Sequence, residues 1–393
     1  MTRQDVVITG IGLVSSLGEG LDAHWEVLSQ PGAKPVLDEA AFAPYAVHPL
    51  PAMSFDAQIP KKGDQRQMEP WQRLGTYAAG LAIDHAGARG LVSDMHLIVA
   101  AGGGERDIAV DEAVATALCT TPPAEAGPVL NERLATDLRP TLFLAQLSNL
   151  LAGNISIVHG VTGSSRTFMG EEAAAADAVR IAAARLAEGR GQIALVGGAY
   201  ASQRWDLVLL YGAGGAVWRG PFAPVSARGG EGGFVGGALG AFLVLEMADH
   251  AAARGARALA RLAGVATDAA HVRAGGGAAS VARALHAKLG APSGTGLGVL
   301  SGMTGVAEAR AEEEAFLAGL GAAAVRRTGS LIGHGVEAAF PANVALGALA
   351  LSRGGFYPAM DPADAGDGPV ERILVTGFGQ WRGEALALLE RAA

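Results

Sequence analysis

The chain has 393 residues, half of them hydrophobic, and a formal net charge of −8 at neutral pH. This length and apolar fraction suffice for one large core or two fused similar domains. The acidic balance argues against a nucleic-acid partner, because nucleic acids are bound mainly through basic residues. The single cysteine, Cys119, excludes an internal disulfide and is compatible with a reducing cytoplasm. Nothing basic lies near it in sequence, so a structural thiol is predicted rather than a nucleophile.

The amino terminus carries only a short apolar run that glycines interrupt. This pattern predicts a buried strand and a turn rather than a signal peptide. No apolar stretch approaches the roughly 18 uncharged residues that a membrane span needs. We therefore expect a soluble, cytoplasmic protein with no membrane span.

The first elements are a predicted strand at Val6–Ile8, a tight loop at Gly10 and Gly12, and a helix over 21–28. The Gly-Ile-Gly sequence lacks the spacing of a dinucleotide-binding motif, and no cofactor is predicted. Residues 31–62 show no periodicity, which indicates a long surface excursion.

Regular elements resume after the excursion. A helix is predicted over 71–86, and a buried strand over 95–101 that ends in glycines. A further helix is predicted over 139–151, because Pro140 stands where helices favour proline, in the first turn.

The stretch 165–198 contains the clearest pattern in the chain. It reads as a strand or tight loop, a hinge at Gly170, an Ala-rich helix over 171–188 and a buried strand over 193–196 that two glycines follow. A helix that is apolar on nearly every face belongs in the middle of a domain or at a subunit interface. Its amino end favours negative charge, and the residues there are Glu171 and Glu172.

The remainder alternates helices and buried strands in the same way, which indicates an α/β protein with parallel sheets. The predicted strands are 258–265, 298–301 and 373–376, and the predicted helices are 247–254, 278–289, 307–320 and 342–351.

The hinge, buried helix and paired glycine resemble the nucleophile elbow of the β-ketoacyl-acyl carrier protein (ACP) synthases, the decarboxylating condensing enzymes of fatty-acid and polyketide synthesis. A Gly-Phe-Gly sequence after Thr376 falls at the equivalent strand end of the second half. The resemblance covers nearly the whole chain. It implies the duplicated thiolase fold, α/β with a five-layer αβαβα architecture, with residues 1–255 as the amino-terminal half and 256–393 as the carboxy-terminal half.

The resemblance also identifies the catalytic positions. The family uses a cysteine, two histidines and a lysine, and these positions fall on Glu172, Ser301, His334 and Gly329 respectively. Only the second histidine is therefore retained. A glutamate does not replace the thiolate, because a mixed anhydride lies far above a thioester in energy. In addition, Glu312 matches a family glutamate eleven residues after the first histidine position.

Other family positions concern the acyl chain. Phe378 matches the phenylalanine that gates the acyl pocket, and Gly379 belongs to the loop whose backbone supplies an oxyanion donor. Leu142 and Phe143 match the residues at the start of the interface helix that reach the acyl tunnel of the partner subunit. Periodicity alone predicts equally well that Leu142 and Phe143 are ordinary core residues.

Loss of the nucleophile on a retained scaffold resembles the chain-length factors of the elongating type II branch. The predicted function is a catalytically silent subunit that forms a heterodimer with a Cys-bearing ketosynthase and works with an ACP. The alternatives are a stand-alone β-ketoacyl-ACP synthase or malonyl-ACP decarboxylase with non-standard residues, and a thiolase-fold scaffold without acyl chemistry.

Overall fold

The computed structural model describes residues 5–268 and 277–392. Strands and helices are numbered in chain order. The strands are β1 (Val6–Ser15), β2 (Gly18–Glu19), β3 (Val47–His48), β4 (His96–Ala100), β5 (Ser165–Phe168), β6 (Ile193–Tyr200), β7 (Gly236–Gly237), β8 (Leu239–Met247), β9 (Ala260–Asp268), β10 (Gly296–Ser301), β11 (Ala324–Arg327), β12 (Val370–Phe378) and β13 (Glu384–Glu390). The helices are α1 (Gly20–Leu28), α2 (Lys62–Gln67), α3 (Pro70–His85), α4 (Ile108–Thr120), α5 (Pro123–Thr136), α6 (Leu142–Ala145), α7 (Leu150–His159), α8 (Glu171–Ala187), α9 (Trp205–Ala213), α10 (Ala248–Ala253), α11 (Gly277–Leu289), α12 (Ala307–Ala318), α13 (Gly329–Ile332) and α14 (Ala339–Arg353).

Two five-stranded halves form the main sheet. The order is β5-β4-β6-β8-β1 in the first half and β11-β10-β12-β13-β9 in the second. In each half the outer strands pair in parallel and the inner ones antiparallel. The halves join where β1 pairs with β9, at Val7 with Arg261 and Ile8 with Ala260. This repeated order confirms the duplicated α/β architecture, whereas the domain boundary at residue 255 stays a prediction.

Helices α8 and α14 lie between the two halves of the sheet and contact strands of both. On the outer faces, α3 covers the first half and α11 contacts the second. The buried face of α8 includes Ala174, Ala175, Ala176 and Ala178, whose small side chains allow close approach to strands on both sides. The five layers and the central position of α8 are therefore as the sequence predicts.

The predicted loop at Gly10 and Gly12 is wrong, because β1 continues through both glycines to Ser15. Helix α3 crosses this strand at very short distance. A Cβ atom at Gly10 would lie 2.3 Å from the Ala82 carbonyl oxygen, and one at Gly12 would lie 1.9 Å from that of Ala78. These glycines therefore permit close packing of a helix on a strand rather than a turn.

The predicted helix over 139–151 is also wrong. The chain forms the short α6 and then the separate α7, which begins at Leu150 and continues to His159. Leu151 and Ile155 of α7 are fully buried in a cluster with residues of α3. This tertiary packing, which local sequence does not reveal, determines where the longer helix begins.

Two further predictions need correction. Residues 31–62 lack long elements, but the segment is only partly a surface excursion, since Val47 and Ile59 are buried and β3 pairs with β7. Cys119 is exposed on α4 rather than packed in a core. None of the helices in the two described ranges is both long enough and apolar enough to cross a membrane.

Candidate active site

The hinge before α8 has an unusual backbone. Gly170 has a φ of 127° and Glu171 a φ of 54°, so a non-glycine residue occupies the left-handed region. Such a conformation is costly for a residue with a side chain and is found where a fixed geometry is needed. The turn places Glu172, in the first turn of α8, inside the protein.

Glu172 forms a buried pair with His334. Its Oε1 lies 2.8 Å from the imidazole Nε2, and the two side chains are 9% and 5% exposed respectively. The backbone N–H of His334 donates to the Val235 carbonyl at 2.9 Å, and the N–H of Gly237 donates to the His334 carbonyl at 2.9 Å. The Phe234 ring lies against the imidazole, with centroids 5.2 Å apart. These contacts hold the imidazole towards the carboxylate.

Ser301 lies fully buried at the end of β10, and its hydroxyl already has a partner. It donates to Glu313 Oε1 at 2.6 Å. The same oxygen accepts a hydrogen bond from Thr376 Oγ1 at 2.5 Å. Burial raises the pKa of the Glu313 carboxyl. Sequence reasoning missed Glu313 and pointed to Glu312, which instead accepts from the Ala279 N–H at 2.8 Å and so binds the start of α11.

Gly329 opens α13 and is buried. A Cβ atom there would lie 3.1 Å from the Met303 carbonyl oxygen and 3.2 Å from Val225 Cγ2. The position therefore supplies no amine, and a lysine side chain would enter only if its neighbours moved.

Phe378 and Gly379 lie at and just after the end of β12. The Phe378 side chain is buried, with its ring centroid 6.0 Å from that of Phe316. The Gly379 N–H donates to the Gly383 carbonyl at 2.8 Å, so it is not free for an oxyanion. Phe378 shares with Glu172 and His334 a cavity of about 10 Å³, which holds at most one water molecule.

A larger cavity of about 190 Å³ opens beside the amino end of α8 and is lined in part by Tyr200, Tyr211 and Glu337. We call it the Glu337 cavity. Burial first, and then the negative charges of Glu172 and Glu171, raise the pKa of Glu337 to about 7. The Trp381 ring stacks on Tyr211 with centroids 5.4 Å apart. Sequence reasoning did not identify this site.

Leu142 and Phe143 lie away from this region. They line a separate groove of about 520 Å³ against the end of α5 and the chain that follows it. Leu142 is 8% exposed, whereas Phe143 is 70% exposed. The structure thus brings Glu172, His334 and Phe378 together around one small cavity and leaves the two predicted tunnel-wall residues on a different surface.

Residues 3–250 match the family model described as "Beta-ketoacyl synthase, N-terminal domain". The chain belongs to the β-ketoacyl synthase family, as the resemblance predicted.

Two relatives and one solved structure refine this assignment. The chain is similar to 3-oxoacyl-[acyl-carrier-protein] synthase 2 of Vibrio harveyi, with 27% identity over 273 residues that make up 67% of this chain and 63% of that protein. It is also similar to the tetracenomycin polyketide synthase ketoacyl synthase beta subunit of Streptomyces glaucescens, with 30% identity over 275 residues, or 66% of this chain and 62% of that protein. The matches thus span somewhat less than two thirds of these curated relatives.

The fold is that of the ishigamide ketosynthase/chain length factor, with a TM-score of 0.79 and 20% identity over the whole of both chains. The thiolase fold is therefore confirmed.

Proposed function

We propose that the chain is a catalytically silent ketosynthase homologue that acts as a chain-length-factor-like subunit. It forms a heterodimer with a Cys-bearing ketosynthase and works with an ACP in fatty-acid, polyene or polyketide elongation in the cytoplasm. One observation carries the proposal: the nucleophile position holds a glutamate whose carboxylate is buried and paired with the one retained histidine.

Decarboxylative condensation needs a nucleophile that forms a thioester, N–H donors for the oxyanion, and groups that stabilise an enolate. Glu172 lacks the nucleophilic sulfur, and its partner His334 is held by the carboxylate. The Ser301 hydroxyl is bound by Glu313, and the Gly379 N–H is bound by Gly383. Each group that would be needed is either replaced or engaged within the protein.

The surface near α7 supports a partner subunit. Strand β5 ends the sheet, and β4 is its only strand partner within the described residues. An open sheet edge favours pairing with another chain. Phe143, Ile157 and Met169 are each more than 60% exposed, which is typical of a surface that another protein covers. We propose that this face contacts the ketosynthase, with Leu142 and Phe143 at the wall of its acyl tunnel.

Reconstitution tests the proposal. The chain is co-expressed with the Cys-bearing ketosynthase encoded nearest to it, and elongation of malonyl-ACP is assayed for each subunit alone and for the purified complex. We expect a stable complex and product only when the ketosynthase is present. Product from this chain alone would support the stand-alone synthase, and release of acetyl-ACP from malonyl-ACP by this chain alone would support the decarboxylase.

A further inference from the structure

The Glu337 cavity has walls that are about as polar as they are apolar. Its side-chain and backbone lining includes Trp71, Gly102, Tyr200, Arg204, Tyr211 and Glu337. At about 190 Å³ it lies below the usual size range of drug-binding pockets, so a ligand would be small. Met169 and Leu210, which are largely exposed, lie at its mouth, so the cavity opens to the surface.

Two buried polar groups in this lining lack partners from other residues. The Trp71 side chain is buried, and its indole N–H has no hydrogen-bond partner in the described part of the chain. Glu337 is 6% exposed, and the hydrogen bond identified for its carboxyl comes from its own backbone amide. Buried polar groups are normally paired, so these two point to a bound molecule that supplies the missing partners. Such a molecule donates to the carboxylate and accepts from the indole.

The surrounding charges determine the sign of that molecule. The charged residues near Glu337 include Glu171 and Glu172 from α8, and Arg204 just before α9. Glu172 is paired with His334, and Glu171 lies 3.5 Å from the Arg382 guanidinium. Arg204 is bound by the Asp206 carboxylate at 2.6 Å. Among the three carboxylates Glu171, Glu172 and Glu337, only Glu337 has no basic side chain bonded to it within the described residues.

We propose that the Glu337 cavity binds a small organic cation, a primary ammonium that carries a hydroxyl group. The ammonium pairs with the Glu337 carboxylate, and the hydroxyl oxygen accepts a hydrogen bond from the Trp71 indole. Tyr200 and Tyr211 line the same cavity. Met169 lies at the mouth of this cavity and also on the face proposed to contact the ketosynthase, so ligand binding is tested on the isolated chain, where it does not depend on the elongation role.

Indole NMR signals of the full-length chain test the site directly. The chain has five tryptophans, so the Trp71→Phe variant identifies the Trp71 signal by its loss. The probes are 3-amino-1-propanol and the matched neutral compound 1,3-propanediol. We expect the amine to shift the Trp71 signal saturably and the diol to bind at least tenfold more weakly.

Two changes remove the negative charge of Glu337: its substitution by glutamine, and its protonation at lower pH. Glu337→Gln should weaken amine binding at least tenfold, whereas the control Glu188→Gln, on the exposed end of α8, should leave it unchanged. In the wild-type chain the amine should bind about tenfold more tightly at pH 8 than at pH 6, because Glu337, with a pKa of about 7, is largely ionised only at the higher pH.

Several results would overturn the proposal. They are equal affinity for the amine and the diol, amine binding that Glu337→Gln leaves intact, or no shift of the Trp71 signal at the highest amine concentration at which the chain stays folded. If Glu337→Gln does not fold, calorimetric titration of the Trp71→Phe variant and the wild-type pH dependence decide instead. Reconstitution with the ketosynthase is not involved, so failure here leaves the elongation role untouched.

Discussion

Glu172 and Glu337 are two buried carboxyl groups at the same end of α8, and they differ in their partners and in the cavities that they face. Glu172 has an imidazole 2.8 Å away, and its cavity of about 10 Å³ is nearly closed. Glu337 has no such partner, faces a cavity of about 190 Å³, and has its pKa raised to about 7. Burial is therefore common to both, and the partner decides whether the carboxylate is fixed in place or available to a ligand.

The largest expected effect comes from breaking the paired carboxylate. His334→Ala leaves Glu172 buried without a partner, and such a change typically destabilises a protein by about 3–5 kcal/mol. Glu172→Gln keeps a hydrogen-bonding side chain beside the imidazole and should cost about 1 kcal/mol. Urea unfolding followed by circular dichroism measures both values.

The matched control for this prediction is an exposed pair. Lys62 and Asp56 are more than half exposed, so Lys62→Ala should change the free energy of unfolding by less than about 1 kcal/mol. A His334→Ala variant as stable as Lys62→Ala would mean that Glu172 is not held by the histidine.

The unpaired carboxyl predicts a pH dependence of stability. The pKa of the Glu337 carboxyl is raised from about 4.5 in the unfolded chain to about 7 in the folded protein. This carboxyl therefore favours folding below pH 4.5, and its contribution to stability is lost as the pH rises to about 7. Glu337→Gln removes the effect. The variant should therefore gain about 3 kcal/mol relative to the wild type between pH 4 and pH 8, since one pKa unit corresponds to about 1.4 kcal/mol.

Urea unfolding of both proteins across this pH range is the measurement, with Glu188→Gln as the control that should run parallel to the wild type. Parallel curves for Glu337→Gln and the wild type would show that the carboxyl is solvated, and they would remove the contrast with Glu172.

Substitution of Leu142 and Phe143 should have smaller effects, and these distinguish a role in packing from a role in contact with the partner subunit. Leu142 is buried, so Leu142→Ala should destabilise the isolated chain by about 2 kcal/mol, whereas the exposed Phe143→Ala should leave it nearly unchanged. In the complex with the ketosynthase, both should shift the products towards longer chains. Thermal unfolding and mass spectrometry of the products measure the two effects. Unchanged product length in a normally formed complex would exclude the tunnel-wall role.

The smallest expected effect is on catalysis by a repaired nucleophile. Glu172→Cys should give no detectable condensation, because Ser301 remains bound to Glu313 and Gly329 still supplies no amine. Assay of malonyl-ACP and acyl-ACP consumption by chromatography is the measurement, with the wild-type chain as control. Turnover by this single variant would show that Ser301 has been assigned the wrong position.

Much of the fold could be predicted because its inner helices are apolar on nearly every face. Helices α8 and α14 and strand β10 are predicted close to their observed positions, whereas β6 continues through the paired glycines to Tyr200. The sequence predicts a turn at Gly10 and Gly12 because it shows only the flexibility of glycine and not the helix that packs against it. The sequence analysis does not predict strands β11 and β13, although the continuous apolar run Ala-Leu-Ala-Leu-Leu of β13 is a usable signal for a buried strand.

A candidate site residue can be predicted from sequence where its position follows from counting along a single helix. Counting back from Gly189, the glycine after the helix, gives Glu172, and the Glu172 carboxylate lies against His334. Counting fails for Glu312 and Glu313, because adjacent helical residues point about 100° apart and only tertiary packing shows which one faces inwards. Glu337 gave no signal in sequence, because its burial results from the approach of α8 and β6.

The central claim is that this chain carries no acyl group during elongation. Intact-protein mass spectrometry of the purified complex after incubation with acyl-ACP tests it most directly, because both subunits are weighed in one experiment. The account predicts an acyl adduct on the ketosynthase alone and an unmodified mass for this chain. A stable acyl adduct on this chain that is lost in Glu172→Gln would contradict it.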